Sequence, residues 1–272
     1  MSVNMKGKSL ISINDLSLDE INAIFDLSAD LKKKLKDGVP HKYLEGQTLG
    51  MIFSKPSTRT RVSFETGIYQ LGGTGLYFNQ NDLQLKKSEN ISDTAKVLSR
   101  YLNGIMIRTF DHQDVIDLAR YGSIPVINGL TDLLHPCQVL ADLFTIIEKK
   151  GKLKGLKLAY VGDGNNMAHS LLNGCSKTGM HISIASPKGY KPNQEIVSNA
   201  IKNSKEWNTK VEVLDDPVEA VKNADIIYTD VWASMGQESE AKERKNIFAP
   251  YQVNEKLIKN AKEDYIFMHC LP

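Results

Sequence analysis

Two kinds of apolar run alternate along this chain. Short runs such as Leu49-Gly50-Met51-Ile52-Phe53, Gly104-Ile105-Met106-Ile107 and Leu156-Lys157-Leu158-Ala159-Tyr160-Val161 are almost continuously apolar, as strands buried on both faces are. Longer stretches repeat their apolar residues three and four apart: Ile21, Ile24, Leu27, Leu31 and Leu35; Phe64, Ile68 and Leu71, with Val62 before them; Val139, Leu140, Leu143, Ile146 and Ile147. That period predicts amphipathic helices. The pattern places helices over 15–36, from 57 or 58 to 71, and over 91–102, 111–121 and 136–149, with strands over 49–53, 74–78, 104–108 and 124–127. Past Gly151 it restarts, with strands over 156–161, 181–184, 210–213, 225–229 and 265–268 and helices over 166–177, 193–203 and 217–223. Strand and helix in alternation predict an α/β protein of two domains, 1–150 and 151–272, each a parallel sheet with helices on both faces. The helix at 136–149 is the expected bridge, and the polar stretch 79–90 reads as a working loop. Ligands of such sheets sit off the carboxyl ends of the strands. Ser57, Arg108, Asn128, Asp163, Asp230 and His269 lie at or just past strand ends, so an interdomain cleft lined by them is the expected site.

The turn Ser54-Lys55-Pro56-Ser57-Thr58-Arg59-Thr60-Arg61 carries the densest chemistry. Pro56 stops the strand, and Ser57 or Thr58 is placed to cap the next helix. Free N–H groups of a helix start, two hydroxyls, Arg59 and Arg61 are expected to meet there, a combination that suits a phosphate. Arg108 ends a strand at the same sheet edge and is a second candidate for that anion, a surface charge being the plain alternative. In His135-Pro136-Cys137-Gln138 the histidine and glutamine share one helix face. Together they offer donor and acceptor to a small planar group, or His135 serves only as a cap. Cys137 reads as a packing residue. Gly162-Asp163-Gly164-Asn165-Asn166 resembles a dinucleotide turn, yet Met167 stands at the third glycine and no acid follows near Ser186-Pro187. A nicotinamide cofactor is therefore not expected. Asp230, at the head of Asp230-Val231-Trp232-Ala233-Ser234-Met235-Gly236, offers a carboxylate to a substrate ammonium or to a helix cap. Cys270 puts a thiol at another strand end, with neither a base nor an orienting acid evident beside it.

Composition narrows the class. A net charge of +2 over 272 residues provides no field for nucleic acid. No apolar run reaches the ~18–20 residues of a membrane span. Three cysteines without metal-type spacing fit a reducing compartment, and with no signal-peptide core at residues 1–7 a cytoplasmic location is expected, or an organelle matrix whose targeting segment is absent.

Ser-Thr-Arg-Thr-Arg at 57–61, His-Pro-x-Gln at 135–138, Asp-x-Trp-x-Ser-Met-Gly at 230–236 and His-Cys-Leu-Pro at 269–272 occur in the order and spacing of the carbamoyltransferases. The chain resembles the ornithine branch of that family along nearly its whole length. The resemblance implies transfer of the carbamoyl group of carbamoyl phosphate to the δ-amine of L-ornithine, giving citrulline and phosphate in arginine biosynthesis, with no metal or organic cofactor. It implies Ser57, Thr58, Arg59, Thr60 and Arg108 as phosphate ligands. His135 and Gln138 would hold the carbamoyl group, with Arg108 near its oxygen. Asn166, Asp230, Ser234 and Met235 match ornithine-binding positions, while Cys270 and the Leu271 carbonyl lie near the reacting amine. Gln84 matches a residue given to a neighbouring subunit's site, which implies a homotrimer. The family continues beyond the position of Pro272 with a loop, a C-terminal helix and an arginine that approaches carbamoyl phosphate; the printed sequence has no counterpart of them. A related amine such as putrescine or acetylornithine, or a ligand-binding homologue without turnover, are the alternative readings.

Overall fold

The computed structural model describes residues 3–80, 83, 89–233 and 238–271. The chain forms two compact units, Met1–Cys137 and Gln138–Pro272.

In the first unit, four parallel strands, β1 (Thr48–Phe53), β2 (Thr74–Asn79), β3 (Gly104–Arg108) and β4 (Val126–Leu130), lie in the order β2-β1-β3-β4. The continuous apolar character of β1 and β3 follows from burial on both faces. Ile52, Ile105 and Ile107 pack with Val115, Leu118 and Val126 in one cluster, whereas Met51, Phe53 and Met106 form another. Successive strand residues point to opposite faces, so both must be apolar. The helices are α1 (Leu18–Lys36), α2 (Arg59–Gln70), α3 (Ile91–Leu98) and α4 (His112–Tyr121). Ser17, not Asp15, caps α1: its Oγ accepts from Glu20 N at 3.2 Å, and the Glu20 carboxylate accepts from Ser17 N at 2.8 Å. β4 extends past the expected 124–127 and carries a register shift between Ile107 and Arg108. Asn128 is therefore not at a strand end. Its amide donates to Ile11 O at 3.0 Å and fastens the N-terminal segment to the sheet.

In the second unit, β5 (Lys157–Val161), β6 (His181–Ala185), β7 (Val211–Leu214), β8 (Ile226–Thr229) and β9 (Ile266–His269) are parallel in the order β7-β6-β5-β8-β9. The long helix α5 (Pro136–Lys150) runs into this unit, tied by Tyr228 OH to Asp142 at 2.9 Å and by Lys150 Nζ to Asp264 at 2.9 Å. By their internal packing the two compact units part at the start of α5. Helices α6 (Asn166–Lys177), α7 (Gln194–Ser204), α8 (Pro217–Val221), α9 (Ala241–Phe248) and α10 (Glu255–Ile258) complete it. The last two lie in a stretch that the periodicity left unread.

Strand order reverses between β1 and β3 in the first sheet and between β5 and β8 in the second. Loops leaving the two strands at such a point diverge to opposite faces and open a crevice beyond the carboxyl ends.

Candidate active site

At the first crevice, Phe53 pairs with Arg108 in register, and Ser54 N donates to Arg108 O at 2.8 Å. The end of β1 and the arginine that ends β3 therefore lie side by side. The β1 loop turns at once into α2. Thr60 N donates to Ser57 Oγ at 3.2 Å, while the Thr58 side chain makes no capping bond. Ser57 is the working cap, and the hydroxyl of Thr58 stays at the exposed start of the helix. Arg108 is buried, and its guanidinium is pushed below its ordinary range by burial and then by the charge of Arg59. Two guanidiniums that repel each other beside a helix N-terminus make a site whose favourable occupant is an anion. His135 belongs to the same field: burial, and then Arg108, push its imidazole down to about 3. It is neutral at physiological pH and keeps one donor and one acceptor nitrogen.

Arg61 does not join this group. Its Nε bonds Glu65 at 2.9 Å and its guanidinium lies 3.8 Å from the centre of the Tyr77 ring, one helical turn of packing that draws it away from the anion. Lys55 is the residue that sequence reasoning passed over. It is 6% exposed, paired with Asp132, and sits 4.3 Å from the Phe110 ring centre. Only its place beside Pro56, at the head of the arginine turn, signalled it.

At the second crevice the β5 and β8 loops meet on Asp230. Its Oδ2 accepts from Asn165 Nδ2 at 2.8 Å, and its Oδ1 accepts from Val231 N at 2.7 Å and Cys270 Sγ at 3.0 Å. Asn165 also caps α6 through Oδ1, which accepts from Met167 N at 2.9 Å. Asn166 is thereby set at the first helical position. Asn165, read only as part of a glycine-rich turn, is the hinge of this arrangement. Asp163 is not available to a ligand in the same way: it forms a buried ion pair with Arg244, whose Nε also donates to Trp232 O. Burial, and then Asp230, raise the Cys270 thiol well above its usual range, so it is a neutral donor rather than a thiolate nucleophile. Leu271 has φ +49, a left-handed conformation uncommon for a branched side chain, held by Leu271 N donating to His269 Nδ1 at 2.9 Å. Asp230, His269 and Cys270 bring candidate metal-ligand atoms within 4.8 Å of one another. The bonds that Asp230 and His269 already make to Cys270, Asn165, Val231 and Leu271 give this trio an organising role.

Gln138, on the first turn of α5, donates through Nε2 to Asp142 Oδ1 at 3.0 Å. Cys137 Sγ donates to Asn128 O at 3.3 Å, and burial pushes its thiol up to about 12, as expected of a packing residue. Gln84, Ser234 and Met235 lie outside the described residues.

Known proteins match the chain in two parts. Residues 8–148 match the carbamoyl-P binding domain of the aspartate/ornithine carbamoyltransferases, and residues 154–272 match their Asp/Orn binding domain. An ornithine carbamoyltransferase of Thermococcus kodakarensis is 58% identical over 272 residues, which is 100% of this chain and 86% of that protein. An anabolic ornithine carbamoyltransferase of Pyrococcus furiosus is 56% identical with the same coverage. Among solved structures, ornithine carbamoyltransferase from Pyrococcus furiosus superimposes with a TM-score of 0.96 at 56% identity, over 99% of this chain and 86% of that one. The anabolic enzyme from Campylobacter jejuni gives 0.91 at 40% identity, over 97% and 86%.

Proposed function

From the premise that the chain belongs to the aspartate/ornithine carbamoyltransferase family, we propose that it makes citrulline and phosphate from carbamoyl phosphate and L-ornithine, as the anabolic ornithine carbamoyltransferases do. The observation that carries this reading is the pair of crevices. One gathers Arg59, Arg108 and neutral His135 around the start of α2; the other presents the Asp230 carboxylate, fixed by Asn165 and Cys270. The first has the chemistry of an acyl phosphate and the second that of an amino acid's α-ammonium.

In the reaction the neutral δ-amine attacks the carbamoyl carbon, forming the new C–N bond. The bond between the carbamoyl carbon and the bridging oxygen breaks with its electron pair going to that oxygen, and the proton lost from nitrogen passes to the departing phosphate, which leaves as hydrogen phosphate dianion. Negative charge grows on the carbonyl oxygen and the leaving oxygens. Arg108 and the His135 donor serve the first, while Ser57, Thr58, Arg59, Thr60 and the N–H groups of α2 serve the second. Each donor set in place beforehand is typically worth about 3–4 kcal/mol in the transition state. Gln138 accepts from the carbamoyl NH2, and the Leu271 carbonyl and Cys270 face the amine. Asn166, Asp230, Ser234 and Met235 hold the ornithine backbone. Ornithine suits Asp230 better than an acetylated amine, because only a free α-ammonium satisfies a carboxylate there.

The residue roles, a homotrimer in which Gln84 serves a neighbouring site, and a cytoplasmic setting belong to the same proposal. Among the described residues no helix is long and apolar enough to cross a membrane. The test is citrulline formation by the purified chain with ornithine, putrescine or acetylornithine as acceptor. Preference for ornithine supports the proposal. Preference for another amine, or ligand binding without product, overturns it.

A further inference from the structure

Asp142 is buried in the second unit at 5% exposure, yet among the described residues no cation contributes to its electrostatics. The groups around it are Gln138 on α5, Tyr228 on β8, Cys175 on α6 and Cys270 after β9. Burial raises both thiols far above their usual range and the Tyr228 phenol likewise, so all four neighbours are uncharged at neutral pH. A carboxylate desolvated among neutral groups costs stability that an amide or a leucine would not. Its two bonds define what is gained. Tyr228 OH donates to Oδ2 at 2.9 Å and holds the carboxylate in one orientation, and Gln138 Nε2 donates to Oδ1 at 3.0 Å. An ionised carboxylate only accepts, so it admits the NH2 end of the Gln138 amide and repels the oxygen end. The four-residue step along α5 places both side chains on one helix face.

We propose that Asp142, braced by Tyr228, is a positioning residue that fixes which way the Gln138 amide faces, so that Gln138 Oε1 is always presented as the acceptor for the carbamoyl NH2. The inference rests on the reading of Gln138 as a carbamoyl ligand. With Asp142 absent, the amide turns over freely and presents a donor to a donor part of the time. Protonation has the same effect, because a carboxylic acid both donates and accepts. Burial lifts the Asp142 carboxyl to about 6, so selection of the amide orientation is complete above that pH and fades below it.

The test compares two anions: phosphonoacetamide, which carries a phosphonate and a carboxamide, and inorganic phosphate, which lacks the carboxamide. Asp142→Leu is expected to weaken phosphonoacetamide about tenfold, the size of one oriented hydrogen bond, and to leave phosphate unchanged. Asp142→Asn, which keeps the shape but can face Gln138 with either end of its amide, is expected to lose a smaller part of the same selectivity. It carries the test alone if the leucine variant does not fold. In the unmodified protein the ratio of the two affinities should fall between pH 7.5 and pH 5, and in Asp142→Asn it should be flat. Equal loss of both anions in the variants, loss of neither, or an unchanged pH dependence in Asp142→Asn would overturn the proposal. Gln138→Ala separates the premise from the inference. If it leaves phosphonoacetamide affinity intact, the carbamoyl role of Gln138 fails. If it weakens that affinity while both Asp142 variants do not, Asp142 alone is discharged.

Discussion

Arg59 and Arg108 push on each other, and that repulsion separates their functional weight from their structural weight. Arg59→Ala is expected to lower kcat/KM for carbamoyl phosphate by about 10²–10³, the effect of one missing donor to developing charge. The same change should leave the melting temperature equal or slightly higher, because Arg108 is relieved of a like charge; steady-state kinetics and a thermal melt check both. Asp230→Asn should cost ornithine about 1.5–3 kcal/mol of binding and carbamoyl phosphate almost none, seen as a rise in one KM only. His135 supplies a pH dependence of stability. Burial holds its imidazole down to about 3, against an ordinary value of about 6.5. The unfolded chain therefore takes up more protons between those values, and stability falls as pH drops from 6.5 toward 3 and levels off above 6.5. A urea midpoint series against pH, flatter in His135→Asn, measures it. At this scale the sequence showed which side chains carry chemistry but not where each one spends it. Arg61, Asp163 and Asn128 look as competent in the sequence as Arg59, Asp230 and Asn165. Glu65, four residues on along the same helix, claims Arg61, while Arg244 and Ile11, partners that no spacing rule reveals, claim Asp163 and Asn128.

The strands were legible because each needs apolar residues on both faces, and the helices because their stripes recur at a single period. What the period could not show were ends decided by caps and bulges: Ser17 over Asp15, the shift that lengthens β4, and the short helices α9 and α10, whose apolar faces are too brief to register. Connections matter as much as the elements they join. The loop from β5 to α6 sets Asn165, and through it Asp230. It passes so close to the 190–192 segment that a Cβ on Gly164 would lie 2.3 Å from Pro192 N and 2.4 Å from Lys191 C. Both are backbone atoms and cannot swing aside. Gly164→Ala is therefore expected to cost about 1–3 kcal/mol of stability by overpacking. It should also raise the ornithine KM more than the carbamoyl phosphate KM; denaturant melts and two-substrate kinetics give the two readings.

For the molecule as a whole, each crevice couples its ligand to the stability of the unit that holds it. Phosphate at a hundred times its dissociation constant should add about 2.7 kcal/mol to the folded state, and Arg59→Ala should abolish the gain, while chloride at equal ionic strength gives neither effect. A melt with each salt decides it. The arginine turn after β1 has one more consequence, for flux rather than for structure. On the proposed reading, its Arg59 guanidinium, hydroxyls and helix N–H groups grip the phosphate part of carbamoyl phosphate, so the spent leaving group satisfies them nearly as well as the incoming substrate does. Every cycle must therefore end with the escape of a well-held product, and the phosphate level of the surrounding solution sets how often the turn is vacant for the next carbamoyl phosphate.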